Sequence, residues 1–228
     1  MISVLIPAYN EAERIGATLE AARALPFLRE IIVIDDGSAD NTAQIAESSG
    51  ADIVFRQPHA GKGAALNRGR RLAQGSVMLL LDADLGASAR EATKLLEPVL
   101  TGSADMTIAT FPVLSGKKGG MGLVVRQARN GIRALTGRVM QAPLSGQRAI
   151  RREVLEDIGG FAEGWGVEVH LTVKALRAGF KVLEIPTQMT HRVTGRRPAD
   201  ILHRVRQFVA VVRVLRQLRA EGASDAGP

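Results

Sequence analysis

The chain contains no cysteine. Disulfides, thiolate metal sites and cysteine nucleophiles are thereby excluded, and the absence is compatible with a reducing compartment. Aromatic residues make up only 4%, with one Trp and one Tyr. A nucleic-acid surface interleaves basic residues with stacking aromatics, so no nucleic-acid partner is expected. Nowhere do about 18 apolar residues run uninterrupted. Met1 leads straight into the strand-like Ile2–Ile6 without a basic leader. Together these predict a cytoplasmic protein with no spanning helix.

What is present describes a globular chain. Of 228 residues, 46% are hydrophobic, enough to bury a sizeable core as one domain. The net charge of +7 is uneven. Residues 1–114 carry 10 Lys and Arg against 14 Asp and Glu, a net −4, whereas residues 115–228 carry 20 against 9, a net +11. The second half is therefore expected to handle an anionic partner: a phosphorylated acceptor, a membrane surface or nucleic acid, the last disfavoured by the scarcity of aromatics.

Leu79-Leu80-Leu81-Asp82-Ala83-Asp84-Leu85 is the organising stretch. Three leucines read as the end of a strand buried on both faces. The two carboxylates follow where such a strand leaves the core, because burying a lone carboxylate is costly. Asp-x-Asp suits a hard divalent ion shared with substrate phosphates; it also suits a plain acidic turn.

Strands and helices alternate around this stretch. Ile2–Ile6, Glu30–Asp35, Ala51–Phe55 and Ser76–Leu81 read as strands, and helices are predicted over 11–25, 41–49, 62–73 and 90–100. Asn10 is the expected cap of the first helix and Asp40 or Asn41 of the second. The alternation predicts a doubly wound, mostly parallel α/β sheet flanked by helices, with ligands at the carboxyl ends of its strands. Beyond a strand at 105–109, Leu114–Gly122 holds four glycines and two lysines and reads as a linker or a lid. Helices over 123–135, 152–158 and 167–178 and strands over 147–150 and 181–185 follow. A long helix over 199–220 closes the fold.

Four loops at successive strand ends carry polar chemistry: Pro7-Ala8-Tyr9-Asn10-Glu11, Asp35-Asp36-Gly37-Ser38, Gly61-Lys62-Gly63 and Asp82-Ala83-Asp84. In a doubly wound sheet they converge on one crevice, bringing carboxylates, a lysine and helix N-termini together, which fits a nucleoside diphosphate and a metal. Neither Gly-x-Gly-x-x-Gly nor Gly-x₄-Gly-Lys-Ser/Thr occurs, which argues against a nicotinamide enzyme and a P-loop.

Val4-Leu-Ile-Pro-Ala-Tyr-Asn-Glu11, Ile34-Asp-Asp-Gly-Ser38, Gly61-Lys-Gly-Ala-Ala-Leu66 and Leu81-Asp-Ala-Asp-Leu85 resemble the motif series of family 2 glycosyltransferases of the GT-A fold. The resemblance implies a hexose donor of the UDP-glucose or GDP-mannose type and Mg²⁺ or Mn²⁺. Pro7, Ala8, Tyr9, Glu11 and Asp36 would line base and ribose, and Lys62 would approach base or phosphate. Asp82 would hold ribose or sugar near the reacting centre, and Asp84 the metal.

The second half, with Pro143-Leu-Ser-Gly-Gln-Arg148, Gly164-Trp-Gly-Val-Glu-Val169 and Thr190-His-Arg-Val-Thr-Gly-Arg196, is similar to transferases that glycosylate small phosphorylated acceptors, the glucosyl-3-phosphoglycerate synthases. Arg192–Gly195 also resembles polyprenyl-phosphate hexosyl transferases, whose acceptor is lipid-linked. This implies Glu168 as the acceptor-side catalytic carboxylate and His191 as second metal ligand. Gly146, Gln147, Arg148, Trp165 and Arg192 would contact substrate. On residues alone, Glu168 could equally stabilise a helix start and Trp165 could pack in the core.

The expected organisation is one domain over 1–221: a donor half (1–114), an acceptor half (115–198), an amphipathic helix (199–221), then a tail (222–228). Ile201, Val205, Phe208, Val212, Leu215 and Leu218 form one apolar stripe on that helix among arginines. Docking on its own core or forming a homodimer ranks before lying in an anionic membrane interface. The rival activities are a sugar-nucleotide-forming nucleotidyltransferase, which would begin with a Gly-rich phosphate loop, and a non-catalytic binding module, against which Asp82, Asp84, Glu168 and His191 together speak.

Overall fold

The computed structural model describes residues 1–111, 122–164, 166–190 and 198–224. Among the described residues, seven strands form one sheet in the order β3-β2-β1-β4-β6-β5-β7. They are β1 (Ile2–Ala8), β2 (Leu28–Asp35), β3 (Ile53–Arg56), β4 (Val77–Leu80), β5 (Met106–Thr110), β6 (Arg148–Arg151) and β7 (Val182–Pro186). Only β6 runs antiparallel to its neighbours, so the expected mostly parallel, doubly wound sheet is present. Alternate residues feed two cores. Leu5, Ile32, Ile34 and Leu80 pack on one face, and Val4, Ile6, Ile31, Val33 and Leu79 on the other. Both faces of these strands are apolar, which is why they read as continuous hydrophobic runs.

The helices are α1 (Ile15–Arg23), α2 (Thr42–Ser48), α3 (Lys62–Leu72), α4 (Thr93–Leu100), α5 (Gly122–Thr136), α6 (Arg152–Asp157), α7 (Val167–Arg177) and α8 (Pro198–Ser224). One apolar stripe of α8, Val211, Val214, Leu215 and Leu218, is buried, and α8 packs against α5 and α7. The expected self-docking thus holds for Leu215 and Leu218, whereas Val205 and Phe208 of the predicted stripe stay exposed. No described helix is long and apolar enough to cross a membrane.

Several local expectations are corrected. Asn10 does not cap α1. It adopts φ 55°, donates its backbone N–H to Ser38 Oγ and accepts the Ala39 N–H on its side chain, tying two strand-end loops together. Helix α1 starts later, at Ile15. Asp40 accepts the Thr42 N–H and the Ala12 N–H, whereas Asn41 makes no capping bond. The segment before α4 is a 3₁₀ turn, Gly86–Ala92. Helix α8 continues through Ser224, into the stretch expected to be tail. The predicted linker lies outside the described residues except for Gly122, which opens α5.

Candidate active site

From β1 the chain crosses to β2 and β3 on one side and returns to β4 on the other. This reversal opens a crevice beyond the carboxyl ends of β1 and β4, the usual ligand position in such sheets. Ala8–Tyr9 forms one lip and Asp82–Asp84 the other.

The acidic lip is held from below by a residue that sequence reasoning missed. Thr18, fully buried on α1, donates its hydroxyl to Ala83 O at 2.8 Å and accepts the Gly86 N–H at 2.8 Å. Its signal was a polar residue on the apolar Ile15–Leu19–Ala22 face. Arg14 adds a bond to Asp84 O at 3.3 Å.

Four predicted residues meet at the centre. The Lys62 ammonium lies 2.8 Å from Asp82 Oδ1 and 3.1 Å from Glu168 Oε1. Gln147 donates its amide to the other Asp82 oxygen. Burial opposes the lysine's charge, but the attraction of Asp82 and Glu168 outweighs it and holds its pKa above the ordinary lysine range. Lys62 is the first residue of α3, after Gly61 at φ 92°; Glu168 is in the first turn of α7, after Gly166 at φ 99°. Two glycines in the left-handed region thus aim two helix starts at the same point. Gly146 lies directly against the cluster: a Cβ there would meet the Lys62 ammonium and both Asp82 oxygens.

Asp36 occupies the opposite flank. It is almost fully buried. One oxygen accepts Gln57 Nε2 at 2.7 Å and the Ala60 N–H at 2.9 Å; the other accepts the Gly61 N–H at 2.8 Å and lies 2.9 Å from His59 Nδ1. It therefore shapes the loop that delivers Lys62. Tyr9 is half exposed, and its ring lies on the His59 ring, centroids 4.5 Å apart. This aromatic pair borders the crevice beside Pro7 and Ala8; Glu11 follows, its N–H bonded to Thr42 Oγ1. His59 carried no motif and was not foreseen.

Arg148 departs from its expected place. It is fully buried, with Nε on Ser145 O at 2.9 Å and Nη1 on Thr172 Oγ1 at 2.9 Å. Burial lowers its pKa to about 10 against the attraction of Glu168 and Glu184. It supports the base of the site instead of lining it, because Thr172 in turn donates to Glu168 O. Trp165, His191 and Arg192 lie outside the described residues. Among the described residues no three His, Asp or Glu side chains group as metal ligands. Asp84, partly buried at the acidic lip, provides one hard oxygen donor, the kind that Mg²⁺ and Mn²⁺ accept together with phosphate oxygens.

Comparison with known proteins places this geometry. Residues 3–159 match the model of "Glycosyl transferase family 2". The chain is 32% identical over 202 residues to glycosyltransferase AglJ of Haloferax volcanii, covering 85% of this chain and 64% of that protein. It is 35% identical over 209 residues to the polyprenol monophosphomannose synthase of Mycolicibacterium smegmatis, covering 84% and 78%. It spans under two-thirds of several relatives, including 59% of a glucosyl-3-phosphoglycerate synthase from Mycolicibacterium paratuberculosis. The crystal structure of glucosyl-3-phosphoglycerate synthase from Mycobacterium tuberculosis with Mn²⁺, uridine diphosphate and phosphoglyceric acid superposes with a TM-score of 0.78 at 30% identity, covering 96% of this chain and 78% of that one. The ordered motifs, the crevice at the sheet's switch point and these matches agree: the chain belongs to glycosyl transferase family 2.

Proposed function

We propose that the protein transfers a hexose from a nucleoside diphosphate sugar to the hydroxyl or phosphate oxygen of an anionic acceptor. The observation that carries this reading is the Lys62 ammonium joining Asp82 and Glu168 at the crevice mouth. One carboxylate then belongs to the donor side and one to the acceptor side. The bond from the sugar's anomeric carbon to the diphosphate breaks, and a bond from that carbon to the acceptor oxygen forms. Glu168 orients a hydroxyl acceptor and takes its proton. Asp82, fixed by Lys62 and Gln147, holds the sugar or ribose hydroxyls. Tyr9 and Asp36 flank the base and ribose. Asp84, with His191, would hold Mg²⁺ or Mn²⁺, which when bound neutralises charge on the diphosphate.

The relatives support two acceptor classes, a small phosphorylated acid and a polyprenyl phosphate. UDP-glucose and GDP-mannose are each supplied with either acceptor, with Mn²⁺ and with chelator. Sugar transfer in one pairing, abolished by chelator, is the expected result. No donor turnover in any pairing, not even hydrolysis, would overturn the reading.

A further inference from the structure

The outer face of the α5–α8 layer has a composition that its packing does not use. Residues 122–136 and 201–220 contain eight arginines and no Asp or Glu. The buried stripe of α8 centres on Val211, Val214, Leu215 and Leu218; at 100° per residue, Val205, Phe208 and Val209 point about 120° away from it. These three side chains are 53%, 37% and 49% exposed. Their face continues towards the C-terminus as Arg216 and Arg219, both exposed, with Arg206 and Arg213 alongside. On the neighbouring α5, Leu123 is 64% exposed and Arg126 and Arg133 face solvent.

We propose that this face docks on an anionic lipid bilayer. The exposed Val205, Phe208, Val209 and Leu123 enter the headgroup boundary, and the surrounding arginines meet lipid phosphates. Charge selects this occupant. A twofold pairing of the same surface would oppose arginines to arginines, with no carboxylate in either segment to receive them. A nucleic acid would want stacking aromatics, and Phe208 is the sole aromatic of these two segments. The location gives docking a consequence: Gly166, the residue before α7, lies against Val214 and Ala210 O of α8. The helix that carries Glu168 therefore starts on the docked element. The surface does not depend on the transfer reaction.

The test is sedimentation of the full chain with phosphatidylcholine vesicles and with vesicles also containing phosphatidylglycerol, at low and high salt. Pelleting with the anionic vesicles alone, reversed by salt, is expected. Arg206→Ala and Arg216→Ala should each weaken partitioning about fivefold, and Phe208→Glu with Val209→Glu should abolish it while thermal melting stays unchanged. Wild-type protein left in the supernatant, or a double variant and arginine variants that pellet like wild type, would overturn the proposal. So would a dimer in velocity sedimentation that Phe208→Glu dissociates, because the face would then belong to a second copy. Absence of donor turnover in the wild type would defeat the transferase reading and leave the vesicle result standing.

Discussion

Glu168 and Lys62 stand 3.1 Å apart, each in the first turn of its helix, and the same ammonium reaches Asp82 at 2.8 Å. The lysine is charged at any working pH, since the two carboxylates raise its pKa against the effect of burial. It keeps two acids close together that would otherwise repel. Glu168→Gln preserves shape and bonding capacity but removes the base. Transfer should fall by roughly 10²–10⁴, with donor affinity nearly unchanged in calorimetry. Near-normal turnover would reduce Glu168 to a helix-dipole residue worth about 0.3–1 kcal/mol.

Gly146→Ala probes the same cluster by sterics alone. The new methyl would overlap the Lys62 ammonium and approach the Asp82 oxygens to 3.2 and 3.3 Å. The atoms it meets are ends of side chains, so the fold should absorb the change, with a cost of about 1–3 kcal/mol at most. The ammonium must move, however, and the donor KM should rise at least tenfold. Kinetics matching wild type would show that the bridge is not needed for donor binding.

The fold was legible because its strands are apolar on both faces and its helices begin after glycines or polar turns. Most element bounds agree within two residues. The exceptions have local causes. Asn10 is a good cap by type, but its carbonyl-bearing side chain finds the Ala39 N–H in the next loop. The apolar stripe read along α8 assumed one face, whereas the helix buries a stripe turned away from Val205 and Phe208. In the site, Lys62 and Asp82 were readable because ordered loops at strand ends must converge, whereas Glu168, in the first turn of α7, was expected from the family resemblance of the stretch that carries it. The supports were not. Thr18, His59 and Glu184, which accepts the Gln141 and Ala142 N–H groups, act through contacts between distant segments that no short spacing encodes. Arg148 ends a motif whose family resemblance implies substrate contact, yet strand alternation turns its side chain into the core.

Asp36→Asn should loosen the Gln57–Gly61 loop. The carboxylate receives three N–H donors besides the His59 ring, and an amide must present its own NH₂ to at least one of them. Each bond to a charged group is worth about 1.5–3 kcal/mol. A fall of several degrees in Tm is expected, together with weaker donor binding, since Gly61 seats Lys62. Unchanged Tm and donor affinity would mean that the loop is held by other contacts.

His170 makes stability depend on pH. It sits on α7 with its Nδ1 buried and without a partner among the described residues, and burial, with Lys174 nearby, lowers its pKa below the usual 6.5. On acidification the unfolded histidine takes up its proton first, so the unfolded state binds more protons in this window. Stability therefore falls as pH drops below about 6.5. Glu221, held low by its hydrogen bond to Lys174, loses its contribution only in a lower window, below about 4.5. Between about pH 8 and pH 5, the Tm of the wild type should fall relative to that of His170→Gln. A constant Tm difference across that range would show that the histidine does not titrate with folding.

Asp84→Ala separates the metal role of the acidic lip from its structural role. The backbone oxygens around Asp84 are bonded independently of its side chain, Ala83 O by Thr18 and Asp84 O by Arg14; Asp84→Ala keeps these bonds, and its Tm should stay within a few degrees of wild type. Asp82→Ala, by contrast, strips a partner from both Lys62 and Gln147 and should lower Tm as well as activity. A donor at about 100 times its Kd stabilises a protein by about 2.7 kcal/mol. With Mn²⁺ present, the wild type should show that shift with its donor, and Asp84→Ala should lose most of it, because the diphosphate would no longer share a cation with the protein. A shift undiminished in Asp84→Ala, or one in the wild type that survives chelation of the metal, would remove Asp84 from the metal site and leave the acidic lip with Asp82 alone.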